Sequence, residues 1–255
     1  MKLRKEASFI LHSKDIEDDF KITVCLPIDY EKSSDKYPVV YVLDANIFYE
    51  IFKGTANLLQ FGEEIPKIIV VGIGYPDESK HFTLRDRDYL HSKSPESELS
   101  GGANLFYDFL TEKIIKHIDV NYRVSESVLF GDSYSGLFAL YALFQISNPF
   151  SKYIIGSPSI YYDDLSILEY EKKSNINAQV FLGVGALEAI YEPAFANMVG
   201  NVEMIYNKLN DRIDPELRVK MYIFDNETHL SVIPSIMSRG LREVFLSDYM
   251  NTENR

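Results

Sequence analysis

Three side chains, Ser133, Glu188 and His229, occur in the order and settings that nucleophilic acyl chemistry requires. Ser133 lies in Gly131-Asp132-Ser133-Tyr134-Ser135, between an apolar strand-like run ending Val128-Leu129-Phe130 and an apolar helical run from Leu137 to Phe144. The chain must reverse there within a few residues, which holds the hydroxyl out at the corner. G-x-S-x-G is the pattern of such a corner, because the residues two before and two after the serine approach each other and must be small. Gly131 meets that demand; Ser135, followed by Gly136, is a mild departure. A serine hydroxyl becomes a useful nucleophile when a neutral imidazole removes its proton and an acid fixes the imidazole tautomer and stabilises its charged form. His229, in the loop after the last strand, is the expected base. Glu188, in Gly185-Ala186-Leu187-Glu188 directly past the preceding strand, is the favoured acid, since strand ends hold groups more firmly than loop interiors. Glu192 and Asp225 are the alternatives. The oxyanion of an acyl intermediate would be held by the main-chain N–H of Tyr134 and by one from Ala45 or Asn46. Asp44-Ala45-Asn46 also reads as a helix N-terminus with Asp or Asn as its cap.

The elements that must carry these residues are eight strand-like runs and the helical patterns between them. ASFILHS (7–13) and FKITVCL (20–26) read as an antiparallel pair, and YPVVYVLD (37–44) and PKIIVVGIG (66–74) as short buried strands separated by a helical pattern over 47–60. The run before Ser133 is the fifth strand, followed by SKYIIG (151–156), AQVFLGV (178–184) and RVKMYIFD (218–225). Further helices are expected over about 104–119, after the serine corner, through Met198, Val202, Ile205 and Leu209, and from about 231 to 248. Strand-helix-strand alternation predicts an α/β fold, a mostly parallel eight-stranded sheet with helices on both faces, in one domain over 1–255. In the 104–119 helix, Leu105, Phe109, Ile115 and Ile118 are expected on one side.

Between Tyr75 and Asn104 the sequence is polar and without periodicity, and a long loop is expected there as a lid or substrate wall past a strand end. It carries Arg85 and Arg87 in Thr83-Leu84-Arg85-Asp86-Arg87-Asp88-Tyr89, either an ion-pair cluster or an anion clamp for substrate.

A net charge of −12 argues against nucleic acid and anionic membrane surfaces as partners, and no apolar run approaches the length of a membrane span. His12, His81, His91, His117 and His229 form no zinc-type spacing, so no metal is expected, and the single Cys25 permits no internal disulfide. MKLRKEASFILHSKD lacks a signal-peptide apolar run, and the expected location is cytoplasmic.

FKITVCLPIDY, YPVVYVLDAN, RDRDYL, GGANLFYDFL, LFGDSYSGLFALYAL, SPSIYY, VGALE and ETHLSVIP together resemble the esterase family of α/β-hydrolases that includes enterochelin (ferric siderophore) esterases and S-formylglutathione hydrolases, the siderophore branch above all. The resemblance implies the α/β-hydrolase fold, Ser133 as nucleophile, His229 as base, Glu188 as acid, no cofactor, and a small-molecule ester substrate. Some siderophore esterases are thought to rely mainly on the serine and histidine. The chain departs from the family at Ala45 (glycine in the family), at Ser135 (elbow glycine), at Leu90-His91 (Thr-Pro) and at Tyr161-Tyr162 (a tryptophan pair). The last two departures lie where substrate is expected, so Tyr161 and Tyr162 join Arg85 and Arg87 as candidate substrate contacts. The function implied is cleavage of a siderophore trilactone or its linear fragments. A general short-acyl or carbohydrate-linked carboxylesterase, an acyltransferase, or an inert binding scaffold of the same fold are the rivals.

Overall fold

The computed structural model describes residues 5–94, 97–171, 175–190 and 197–252. The strands are β1 (Glu6–Ser13), β2 (Asp18–Cys25), β3 (Tyr37–Val42), β4 (Ile69–Gly74), β5 (Val124–Asp132), β6 (Phe150–Gly156), β7 (Gln179–Gly185) and β8 (Arg218–Phe224). They form one sheet in the order β1-β2-β4-β3-β5-β6-β7-β8. β1 and β2 pair antiparallel, β2 pairs antiparallel with β4, and every pairing from β4 through β3 to β8 is parallel. The helices are α1 (Ala45–Phe61), α2 (His81–Tyr89), α3 (Ala103–Phe109), α4 (Lys116–Asn121), α5 (Tyr134–Leu143), α6 (Leu168–Glu171), α7 (Met198–Asn210) and α8 (Ile233–Thr252). The expected mostly parallel sheet with helices on both faces is what the chain builds.

Alternation along the central strands divides the core in two. Val39, Tyr41 and Leu43 point to the face covered by α3, α5 and α7, while Val40 and Val42 point to the face covered by α1 and α8. Both faces are covered, so the central strands read as continuous apolar runs rather than as alternating ones. α1 lies so close to β4 that a Cβ on Gly72 would sit 2.5 Å from the Tyr49 ring.

Two expectations change. The stretch between Tyr75 and Asn104 contains α2, a nine-residue helix whose buried positions are His81, Leu84, Asp88 and Tyr89. Their spacing is helical, but two of the four are polar, so apolar periodicity carried no signal there. The helix expected over 104–119 runs as α3, a π-helical stretch at Leu110–Ile115, and α4. Of the four residues expected on one side, Phe109, Ile115 and Ile118 are buried and Leu105 is 40% exposed, with Phe106, Leu110 and Ile114 filling the core beside them.

Candidate active site

Ser133 occupies the turn between β5 and α5 with φ 60° and ψ −121°, a backbone conformation that a non-glycine residue holds only when its surroundings enforce it. The enforcement is visible. Ser133 N–H donates to Gly156 O at 3.0 Å, its carbonyl accepts from Leu137 N–H at 2.9 Å and from Ser159 N–H at 3.2 Å, and neighbours leave no room for side chains. A Cβ on Gly131 would lie 2.1 Å from Ser135 O, and one on Gly136 would lie 2.6 Å from Gly156 O. Ser135, the departure from glycine, is fully buried; its Oγ accepts from Asp132 N–H at 3.0 Å and donates to Asp132 O at 2.8 Å. The extra hydroxyl therefore ties the corner together. Ser133 Oγ lies 3.4 Å from Ser159 Oγ.

The imidazole of His229, in the loop after β8, places Nδ1 2.7 Å from Glu188 Oε2. Glu188 is 3% exposed, and its Oε1 accepts from Ser157 Oγ at 2.6 Å and from Gly185 N–H at 2.7 Å. The two loops are tied by Leu187 N–H to Glu227 O at 3.0 Å. Burial opposes protonation of His229, but the Glu188 hydrogen bond and the charges of Asp132 and Glu188 outweigh it and raise the imidazole above its ordinary value. Ser133 N–H bonds Gly156 O, and the next residue along, Ser157, bonds Glu188, so the elbow and the Glu188–His229 pair meet at adjacent strand ends. Of the other two candidate acids, Asp225 is exposed just past β8, and Glu192 lies outside the described residues.

β3 and β5 are neighbours, with Val42 opposite Phe130 and Leu43 N–H bonded to Phe130 O at 3.1 Å. Their ends therefore turn side by side into α1 and α5. Ala45 and Asn46 open α1 and Tyr134 opens α5, positions whose N–H groups have no acceptor within their own helix. The Asn46 side chain is already engaged: its Oδ1 accepts from Tyr75 N–H at 2.8 Å and its Nδ2 donates to Tyr75 O at 2.9 Å. The expected Asp cap has another role. Asp44 makes no side-chain cap bond to α1, and its carboxylate instead receives Arg85 Nε at 3.0 Å and Nη2 at 2.8 Å.

The two arginines thus sit in ion pairs. Arg87 donates to Asp88 through Nε at 2.7 Å and Nη2 at 3.0 Å, and to Asp18 through Nη1 at 2.8 Å. Tyr162 is buried, with its hydroxyl donating to Ser92 O at 2.7 Å and its ring edge-on to Tyr134. Tyr161 is half-buried and lies beside Tyr134, whose hydroxyl pKa is raised by burial first and by Tyr161 next. His91, at the Leu90-His91 departure, is packed among Tyr141, Tyr162 and Tyr170, with Nε2 2.7 Å from Ser166 Oγ.

Sequence reasoning passed over Ser157, Ser159 and Asp132, and gave Asp44 only the role of a cap. Both serines lie in SPSIYY, where their roles depend on a neighbouring strand end that the local sequence does not name. Asp132 is fully buried with Oδ1 unpartnered, and burial, aided by the charges of Glu188 and Asp44, pushes its carboxyl up to about 7 against the lowering influence of His229 and Arg85. Among the described residues, no group of three or more His, Cys, Asp or Glu could hold a metal ion, and no helix is long and apolar enough to cross a membrane.

A mostly parallel eight-stranded sheet with a serine elbow after β5, a glutamate after β7 and a histidine after β8 defines an α/β-hydrolase, and this arrangement suits acyl transfer. The chain belongs to the family described as "Putative esterase", whose model matches residues 13–211, and it is an enzyme acting on ester bonds. It is 31% identical over 229 residues to the ferri-bacillibactin esterase BesA of Bacillus subtilis (strain 168), covering 81% of this chain and 78% of that protein. It is 30% identical over 278 residues to a siderophore enterobactin esterase of Emericella nidulans, covering 90% and 89% respectively. The solved structure of the BES protein from Bacillus cereus superposes with a TM-score of 0.83 at 29% identity, covering 96% of each chain.

Proposed function

We propose that the protein is a siderophore esterase that cleaves carboxylic ester bonds through an acyl-enzyme on Ser133. The observation that carries the reading is the Glu188–His229 hydrogen bond at 2.7 Å beside a strained serine elbow. Ser133 Oγ attacks the ester carbonyl while His229 Nε2 takes its proton, and Glu188 holds Nδ1–H and offsets the charge of the imidazolium. The N–H groups of Tyr134 and of Ala45 or Asn46 receive the oxyanion. Collapse expels the alcohol, which takes the proton from His229. A water then attacks the acyl-enzyme by the same route and releases the carboxylic acid. No step calls on a cofactor.

The siderophore class is supported by the names of the relatives, which act on ferri-bacillibactin and on enterobactin. Tyr161, with Tyr134 beside it, supplies a phenolic wall suited to an aromatic acyl group. Fluorophosphonate labelling and hydrolysis of a p-nitrophenyl acyl ester test the nucleophile: both are expected to be lost in Ser133→Ala, and wild-type rates in that variant would end the assignment. Release of catecholate-containing acyl fragments from enterobactin or bacillibactin, followed by chromatography, tests the substrate class. Turnover of simple esters with no trilactone cleavage would favour the general carboxylesterase instead.

A further inference from the structure

The Asp44 turn immediately precedes Ala45, and α2 closes over it. Asp44 is fully buried and left-handed, with φ 50° and ψ 39°. Three side chains of α2 converge on it. Arg85 grips both carboxylate oxygens, at 3.0 and 2.8 Å. The Tyr89 hydroxyl accepts the Asp44 N–H at 3.1 Å. His81 Nε2 stands 3.3 Å from Oδ1, its imidazole held below its ordinary pKa by burial. The Arg85 guanidinium also lies over the Tyr134 ring, 5.1 Å from its centroid. One planar cation therefore touches the residue before Ala45 on one side and the side chain of Tyr134 on the other.

We infer that Arg85 is a positioning residue for the oxyanion hole, bracing the Asp44 turn against Tyr134 so that the N–H groups of Ala45 and Tyr134 stay aimed at one point. The two donors sit at the starts of different helices, α1 and α5, and nothing in either helix fixes their mutual distance. A bidentate guanidinium-carboxylate pair is directional, and a stacked guanidinium resists displacement across the ring. Lysine would match the charge but neither the fork nor the stack. Arg85 thereby acts through main-chain atoms of other residues, and its contribution falls on the transition state, where the oxyanion exists, rather than on substrate binding.

This inference rests on Ser133 being the nucleophile, so Ser133→Ala is assayed beside the test variants. Arg85→Lys is measured on a neutral p-nitrophenyl ester and on an anionic ester. A misplaced oxyanion donor costs about 10- to 100-fold in rate, so kcat is expected to fall by about that factor on both esters, with KM for the neutral ester within about threefold of wild type. Because Arg85→Gln alone leaves the buried Asp44 carboxylate unpaired, the double variant Arg85→Gln/Asp44→Asn keeps the test open. It removes both charges, and its thermal midpoint should approach wild type while kcat stays low. Recovery of wild-type kcat in the folded double variant would overturn the inference. So would an Arg85→Lys effect confined to KM for the anionic ester. If Ser133→Ala is active, the functional reading itself fails; if it is inactive and the Arg85 variants are unaffected, only the positioning role fails.

Discussion

His229 Nδ1 meets Glu188 Oε2 at 2.7 Å, and the second oxygen of that buried carboxylate is already held by Ser157 Oγ and by Gly185 N–H. The carboxylate cannot rotate away without breaking three hydrogen bonds, so the imidazole is held in one tautomer with Nε2 directed away from Glu188.

Glu188→Gln keeps the shape and removes the charge. By analogy with the loss of charge in serine triads, kcat/KM on a p-nitrophenyl ester is expected to fall by about 10³- to 10⁴-fold. Glu188 is also the leading contribution raising the His229 pKa against burial. In the proposed mechanism the neutral imidazole is the base, so wild-type kcat/KM should rise with pH through an inflection above 6.5, and residual activity of the variant should show that inflection at lower pH. A pH-rate profile of both proteins measures the shift.

Stability should fall as pH rises from 5 to 8. His229 has a raised folded pKa, so its contribution is complete below its unfolded value and is lost as pH climbs through the folded one. Asp132, pushed from 3.8 up to about 7 chiefly by burial, binds its proton more tightly in the folded state across that interval and adds a slope of the same sign. At one pKa unit per 1.36 kcal/mol, the Asp132 contribution lost over this range is at most about 3 kcal/mol. Thermal midpoints by differential scanning fluorimetry should decline over this range, and Asp132→Asn should flatten the decline.

Replacing Ser135 by the more usual glycine should separate stability from activity. The change removes two buried hydrogen bonds within the turn and is expected to cost about 1–2 kcal/mol in denaturant unfolding. The elbow backbone accepts glycine there, so kcat should stay within about threefold. Gly131→Ala is the opposite case: its Cβ would lie 2.1 Å from Ser135 O, and the elbow and esterase activity should both be lost.

Arg87→Ala should act on the fold and not on substrate affinity. Its guanidinium neutralises Asp88, which is fully buried and also receives the Tyr75 hydroxyl at 2.8 Å. Leaving that carboxylate unpaired should cost about 3–5 kcal/mol by urea denaturation. KM for both neutral and anionic esters should be unchanged in the protein that remains folded.

Much of this molecule was legible in the chain. The strand runs were apolar because both faces of the sheet are covered, and their alternation with helical patterns specified a parallel sheet. The small residues around Ser133 marked a corner, since no other residue type fits where Gly131 faces Ser135 O. The order serine, acid, histidine put each group past a strand end. These features are local: periodicity, size and sequence order carry them.

Tertiary structure decided the remainder, because it concerns pairs far apart in sequence. Sequence position favoured Glu188 over Asp225 without excluding the latter; the tie between the β7 and β8 loops brings Glu188 to His229 Nδ1. α2 was invisible because His81 and Asp88 occupy its buried face, and a polar residue is tolerated there only once its partners arrive from elsewhere. Arg85 and Arg87 stand one residue apart in a polar stretch where a substrate clamp and an ion-pair cluster look the same. Arg85 goes to the buried Asp44, 41 residues away, and Arg87 joins the adjacent buried Asp88 to Asp18, 69 residues away, pairings that only the fold brings together.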